Sequence, residues 1–522
     1  QFVADREKAS EHHRVASEIL EKEPESIELA SLYEDISHML WRSGSTEALS
    51  WVQKAFKLAE RLGAPEVLAG CYNDLGTLSL KSGELEQGAK YYEQGLKIAL
   101  ENKVAGYAIS FYNNLSSLYW STGEFQKMFE TAQKGSEFAK KVGSLYGLAW
   151  IDSVLAESYV CMGELQKAVS IYEEILALAK RIKYTVQISG ALSGLGWCYL
   201  ILGEWDKSLQ YLTEALDIAK KIGEYQFSGI ATLLLGELFM EMEDYGEAEK
   251  YLKESISIYE SAGETAMPLI FAFPGLSELY LKKGEVEKAE ELIEKIYEQA
   301  TRTKNRLVTP HAEMLKAMLF REQKNWEESI KHFEKSLDGY NSLNARKGYV
   351  IEFAELLYEY GLMYLNRNEE DDKERAYSLL NQALEIYKKM DAKKKIEKIK
   401  TTIIYTETEQ QITPQPERIV EVSEIVIPDR ISTGYEHLDD LLFGGLPRNY
   451  AVILTSPSCD ERDLLIKRFL ETGAKEDQIT FHVISKAIEA KALVEEFQST
   501  FYLFICNPQA DAIMKSKPNV FK

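Results

Sequence analysis

The chain has 522 residues, which at roughly 150 residues per domain corresponds to about three to four domains or to one long array. Hydrophobic residues make up 45% and aromatics 11%, against only 12 prolines, so a disordered chain is excluded. Lys and Arg number 61 against 83 Asp and Glu, and the formal charge of −22 disfavours general binding to nucleic-acid backbones and anionic membranes.

The first thirty residues are too charged for a signal-peptide core, and no run approaches 18 consecutive apolar residues, so a cytoplasmic location is expected. Because the chain starts at Gln1 rather than Met, a fragment of a longer protein is expected. Cys71, Cys161, Cys198, Cys459 and Cys506 are widely spaced and never form a CxxC pair, which argues against a disulfide framework or a zinc knuckle. His12 and His13 lie on a charged helix and read as a solvated face. Neither a metal site nor a cofactor is expected.

Residues 1–26 read as a capping helix or half repeat, and from 27 the sequence repeats itself. A Gly-acid turn recurs at Gly83, Gly123, Gly163 and Gly203, its phase continues at Glu243, Gly284 and Lys324, and the spacing is 40 or 41 residues. A first copy turns near Gly44 and a last near Asn368, giving about nine copies within residues 27–400. Seven residues before each turn stands a small residue (Gly76, Ser116, Ala156, Gly196, Gly236, Ser277, Ala317 and Gly361 among them), as two closely approaching helices require. Four before the turn stands a large ring, such as Tyr119, Tyr159, Tyr199, Phe239 or Tyr280, expected to fill the space between successive hairpins. A second set of small residues follows each turn (Gly88, Ala168, Ser208, Ala248), so each copy is a helical hairpin whose apolar face is closed only by stacking on its neighbours.

This small-x2-aromatic-x3-Gly-acid pattern resembles tetratricopeptide repeats in a long variant of about 40 residues. The resemblance implies a mainly α fold, a right-handed α-solenoid of helical hairpins whose first helices line a concave face. The lysine-rich stretch from Lys388 to Lys400 reads as a solvated helix end.

Residues 401–422 contain the polar, proline-bearing stretch from Thr406 to Arg418 and read as a linker. Beyond it, apolar runs at Tyr450 to Thr455, Ile479 to Ser485 and Thr500 to Cys506 alternate with helical segments at Arg462 to Glu471 and Ala487 to Gln498. That alternation predicts a small α/β domain with a parallel sheet over 423–522.

The approach Ser432-Thr433-Gly434, Leu438-Asp439 and Gly444-Gly445-Leu446-Pro447 resembles the opening of a RecA-like ATPase domain of the KaiC type. The phosphate loop that should follow is degenerate. Ser456 and Glu461 occupy the glycine positions, Arg462 the lysine and Asp463 the magnesium-binding hydroxyl position. The resemblance therefore implies a pseudo-ATPase without bound nucleotide. The domain looks incomplete at Lys522, and the pairing of such repeats with a KaiC-like tail looks archaeal.

Six, three and two residues before the turn are the positions expected to face the concave groove. Thr77, Ser117, Trp120, Glu157, Trp197, Ile201, Glu237 and Met240 fall there, with Asn73 and Asn113 a few residues earlier. Large apolar groups such as Trp120, Trp197 and Met240 suit a peptide groove. They suit equally well a surface covered by the array's own segments. The expected function is a non-enzymatic scaffold or adaptor that takes a protein or peptide partner in the groove, with homo-oligomerisation through the C-terminal domain. The alternatives are a nucleotide-sensing regulatory protein and a transcriptional or signalling regulator.

Overall fold

The computed structural model describes residues 2–42, 45–263, 271–303 and 306–410, together with five short strands beyond residue 429. The chain divides into two units, residues 1–413 and 414–522.

Among the described residues of the first unit, α1 (Phe2–Leu20) precedes nine helical hairpins. They are α2 (Ile27–Arg42) with α3 (Ala48–Leu62), α4 (Pro65–Lys81) with α5 (Leu85–Glu101), α6 (Ala105–Ser121) with α7 (Phe125–Val142), and α8 (Leu145–Cys161) with α9 (Leu165–Ile182). The series continues with α10 (Thr185–Leu202) and α11 (Trp205–Ile222), α12 (Tyr225–Glu241) and α13 (Tyr245–Ser261), then α14 (Phe273–Lys282) and α15 (Val286–Thr303). The eighth pair is α16 (Val308–Glu322) and α17 (Trp326–Ser342). A one-turn helix, α18 (Ala345–Gly348), precedes the ninth pair, α19 (Val350–Arg367) and α20 (Asp372–Met390), and α21 (Lys393–Gln410) follows. Helix α21 thus runs ten residues past Lys400, through the first part of the stretch whose composition reads as a linker.

The turns fall in the phase the sequence sets. Gly203 has φ 78°, and Glu243, Lys324 and Asn368 adopt the same left-handed conformation at φ 61°, 57° and 54° despite carrying side chains. They do so because the turn's hydrogen bonds require it: Gly203 N–H donates to Leu200 O at 3.1 Å and Glu204 N–H to Tyr199 O at 2.9 Å, closing a Schellman motif on the aromatic position.

The small positions meet as expected. A Cβ on Gly196 would lie 2.5 Å from Leu212 Cγ and Cδ2, and Ser208 Oγ donates to Gly196 O at 2.8 Å across the hairpin. Ser329 Oγ does the same to Ala317 O at 2.8 Å. Some rings bridge successive hairpins as expected, as Tyr159 does edge-on to Phe129 at 5.2 Å, and others stay within one. Tyr199 stacks on Tyr211 and Phe239 on Tyr251, at centroid distances of 5.6 and 5.5 Å, in each case a partner twelve residues on in the same hairpin. An i+8 lysine lies against the tyrosine, as Lys207 does on Tyr199 at 4.8 Å.

Helix α10 is long and apolar enough to cross a membrane by length and composition, but most of it is buried in the hairpin stack. It reads as a core helix.

In the second unit the described strands are β1 (Arg430–Ile431) paired antiparallel with β2 (Leu446–Pro447), and β3 (Thr480–Ile484), β4 (Phe501–Ile505) and β5 (Val520–Phe521) in one parallel sheet. β3 and β4 fall on two of the apolar runs read as strands. The predicted strand at 450–455, the predicted helices at 462–471 and 487–498, and the phosphate-loop positions Ser456, Glu461, Arg462 and Asp463 lie outside the described residues.

Candidate functional site

First helices of successive hairpins pack side by side, α6 on α8, α8 on α10 and α10 on α12, whereas second helices do not pack on one another to a comparable extent. Closer spacing of the first helices curves the stack toward them and makes theirs the inner face. The curvature brings distant hairpins together. Phe125 stacks on Tyr349 at 5.0 Å and Trp120 on Phe271 at 5.9 Å. Gly163 abuts Met390 and Val350, and Gly203 abuts Lys394, so the turns of the middle hairpins touch the C-terminal helices. One continuous core accordingly runs from Phe125 to Ile399.

That closure decides where the sequence-predicted residues lie. Trp120, Trp197 and Ile201 are half-buried against this core, and Met240 is buried within it. Asn73 Oδ1 accepts from Asn114 Nδ2 at 2.8 Å, a bond between adjacent repeats. Thr77 Oγ1 donates to Asn73 O at 3.0 Å and lies 2.9 Å from Tyr92 OH, so its bonds also stay inside the array. Asn113 is buried with its Oδ1 unpartnered, and Ser117 is exposed.

Glu157 and Glu237 behave differently. Both remain accessible to water, Glu237 only in part, yet lie deep inside the curved unit. Burial pushes the Glu157 carboxyl up to about 7. Burial, then Glu278, Glu352 and Glu241, push Glu237 up to about 8. Burial also raises Glu352, on α19, to about 7, and its Oε2 has no partner. Among the described residues few groups offset these acids: Lys395 opposes the rise at Glu237, and His311 opposes it at Glu352 and lies 3.5 Å from Glu278 Oε1.

At one end that shortage is met by the chain itself. Lys395 Nζ of α21 lies 3.0 Å from Glu241 Oε1 and 3.1 Å from Glu355 Oε2. Against the upward pull of burial, Lys395 and Lys398 hold Glu355 down at about 2. Lys394 lies over Trp205 at 5.4 Å, and Lys393 Nζ stands 3.4 Å from Glu204 Oε1. The lysine stretch read as a solvated helix end is mostly exposed, but Lys395, with Lys393 and Lys394 beside it, clamps α21 to the middle hairpins.

Sequence reasoning missed Glu278, Glu352, Glu355 and Lys395. Glu278 stands six residues before the turn at Gly284, the phase of Glu157 and Glu237, so the repeat rule already contained it. The other three reach the inner face from elements far along the chain, which no local pattern marks.

A stack of helical hairpins curved around an inner face lined by its first helices is a tetratricopeptide-type solenoid. The profile of the MalT-like TPR region matches residues 144–411, about half the chain, and a tetratricopeptide-repeat profile matches residues 69–102. The chain belongs to the MalT-like TPR family. No curated protein sequence matches it.

Among solved structures, a Rap protein complexed with competence and sporulation factor shares the fold at 16% identity and a TM-score of 0.53, over 70% of this chain and 99% of that one. The apo quorum sensor NprR of B. thuringiensis aligns at 15% identity and a TM-score of 0.44, over 64% of this chain and 94% of that one. A signal-transduction ATPase with numerous domains and a tetratricopeptide repeat sensor, from Pyrococcus horikoshii, aligns at 17% identity and a TM-score of 0.43, over 69% of this chain and 53% of that one.

Proposed function

We propose that the array is a non-enzymatic regulatory scaffold, acting in the cytoplasm, whose inner face takes a protein or peptide segment bearing cationic side chains. The observation that carries this reading is the run of inner carboxylates at one repeat phase, Glu157, Glu237 and Glu278, joined by Glu352. Burial keeps Glu157, Glu237 and Glu352 raised even where Lys395 and His311 oppose it, and an incoming Lys or Arg relieves that cost. Lys395 already plays that part at Glu241 and Glu355. Trp120 and Trp197, half-buried on first helices, supply apolar contact for the same segment. The Rap protein complexed with competence and sporulation factor, similar in fold alone, is compatible with such a role.

The test is selection from a random decapeptide library on the immobilised full chain. Enrichment of Lys- and Arg-bearing peptides, lost when Glu157 and Glu237 are both changed to Gln, is the expected result. Enrichment without charge preference, or unchanged by the double substitution, refutes the reading.

The C-terminal unit is read as a degenerate RecA-like module with no hydrolytic role. The parallel pairing of β3, β4 and β5 suits it, and the acids at Asp460, Glu461 and Asp463 oppose a triphosphate. Calorimetric titration with ATP and Mg²⁺ is expected to show no binding tighter than about 1 mM. Micromolar binding makes the protein a nucleotide sensor instead.

A further inference from the structure

Far from the inner carboxylates, the first two hairpins carry a separate cluster. Glu34 and His38 are four residues apart on α2 and so share one helix face, and Asp74 on α4 faces them. One ligand atom from each of the three residues lies within 4.8 Å of the others. We propose that Glu34, His38 and Asp74 form a binding site for one divalent transition-metal cation of the Zn(II) class.

The decisive residue is Asp74, which is fully buried. Its Oδ1 accepts from Trp41 Nε1 at 2.9 Å and lies 3.1 Å from His38 Nδ1. Its Oδ2 is buried with no partner at all. A buried carboxylate oxygen without a donor is strongly unfavourable, and a cation is the partner that suits it best. Glu34 is buried beside it, with Oε1 accepting from Tyr107 OH at 3.3 Å. A Cβ on Gly70 would lie 2.6 Å from both Glu34 Oε1 and Tyr107 OH, so the glycine in α4 opens the space the Glu34 carboxylate occupies.

Charge points the same way. Glu34 and Asp74 are buried carboxylates that face one part-exposed imidazole, and a dication neutralises the set.

The donor set selects the ion. One imidazole nitrogen with two carboxylate oxygens suits Zn(II) or Co(II) better than Ca(II) or Mg(II), and three protein ligands leave a position open to water. The surrounding shell is built as such sites require, with Trp41 holding Asp74 and Tyr107 holding Glu34. His38, with a side chain 40% exposed, gives the ion a route in.

The competing state has no metal and holds a proton between the two carboxylates. The full chain, stripped with chelator and carrying His12→Ala and His13→Ala to remove that adjacent imidazole pair, is titrated with Zn(II) by calorimetry and with Co(II) by visible absorption. We expect one equivalent bound with a Kd below about 10 µM, Co(II) ligand-field bands, and a rise in melting temperature reversed by chelator. Asp74→Asn, nearly isosteric, and His38→Gln, at a part-exposed position, should each weaken binding at least about 100-fold, and Tyr107→Phe about 10-fold. Matching circular dichroism in chelator shows that each variant is folded. Zn(II) binding unaltered by Asp74→Asn and His38→Gln, or no binding by the parent chain up to 1 mM, overturns the proposal. So does a metal-free Asp74→Asn variant that is more stable than its parent while neither responds to Zn(II), since that result assigns the cluster to the protonated pair.

Discussion

Replacing Lys395 with Ala removes the cation that the C-terminal helix places between two carboxylates. Glu241 and Glu355 then remain in the interior facing each other, with Lys398 the nearest remaining compensation. Breaking a buried pair costs about 3–5 kcal/mol. Here the three side chains are 21–23% exposed, and solvent screening places the cost nearer about 2–3 kcal/mol. In a repeat array such a loss falls on the local interface and leaves distant hairpins alone, so α21 should detach before the array unfolds. Native-state hydrogen exchange reads this directly: amide protection along α21 should fall by about 30- to 140-fold, the equivalent of that free energy at 1.4 kcal/mol per decade, while α4 and α5 keep theirs. A triple variant, Lys395→Met with Glu241→Gln and Glu355→Gln, has no stranded charge and should recover most of the protection. Protection in Lys395→Ala within twofold of the parent, or a triple variant as weak as the single one, would refute the clamp.

Gly196→Leu forces a side chain into a space where a Cβ alone meets Leu212 at 2.5 Å. It should cost about 1–3 kcal/mol or more through overpacking, whereas Gly106→Ala, with nothing within 4 Å, should be close to neutral in the same denaturant titration. Changing Trp120 and Trp197 to Ala together should reduce capture of library-selected cationic peptides at unchanged helical circular dichroism, and a large loss of stability without a specific loss of binding would show that these rings serve packing alone. Glu157 and Glu237 have native pKa values raised to about 7 and about 8 from 4.5. The native state therefore holds these protons more tightly, and their contribution to stability, present below about pH 4.5, is lost as pH rises through 7 and 8. Gln at both positions should flatten that fall, and an unchanged melting-temperature profile from pH 5 to 9 would contradict the raised values. Glu359→Ala leaves Arg321, with which it pairs at 2.6 Å in the core, only the part-exposed Glu322 at 3.1 Å, and in urea titration it should cost somewhat less than a fully stranded charge, which costs about 3–5 kcal/mol.

The array was legible because its determinants are local and repeat. The left-handed turn at Glu243 is an instance: neither its residue type nor its neighbours announce a turn as Gly203 does, yet the 40-residue phase locates it and the backbone adopts φ 61° there. The same phase located Gly196 and Ser208 opposite each other before any contact was known. The rings were placed only in part, because the pattern gives the helix face of Tyr199 but not its reach. Where an aromatic stands twelve residues on, as Tyr211 does, the ring stacks within its own hairpin. Periodicity fixes which residues can meet within a repeat, and chemistry then selects among them.

The inner face was legible only in part, for a physical reason. Repeat phase tells which side chains point inward, and it placed Glu157 and Glu237 with the rest. It does not tell how far the stack curves, because curvature accumulates from small differences in helix spacing along nine hairpins. Whether Trp120 meets water or Phe271 depends on that sum. Whether Lys395 is a solvated lysine or the counter-charge of Glu241, 154 residues earlier, depends on it too. The cluster at Glu34, His38 and Asp74 escaped notice for a simpler reason: its two-residue part on α2 is common on charged helices, and its third member joins only when adjacent hairpins stack. Sequence periodicity in a solenoid therefore identifies the lining, and closure decides which part of that lining is already occupied by the protein itself. At Glu241 and Glu355 the occupant is Lys395, whereas at Glu157 nothing but burial sets the carboxyl.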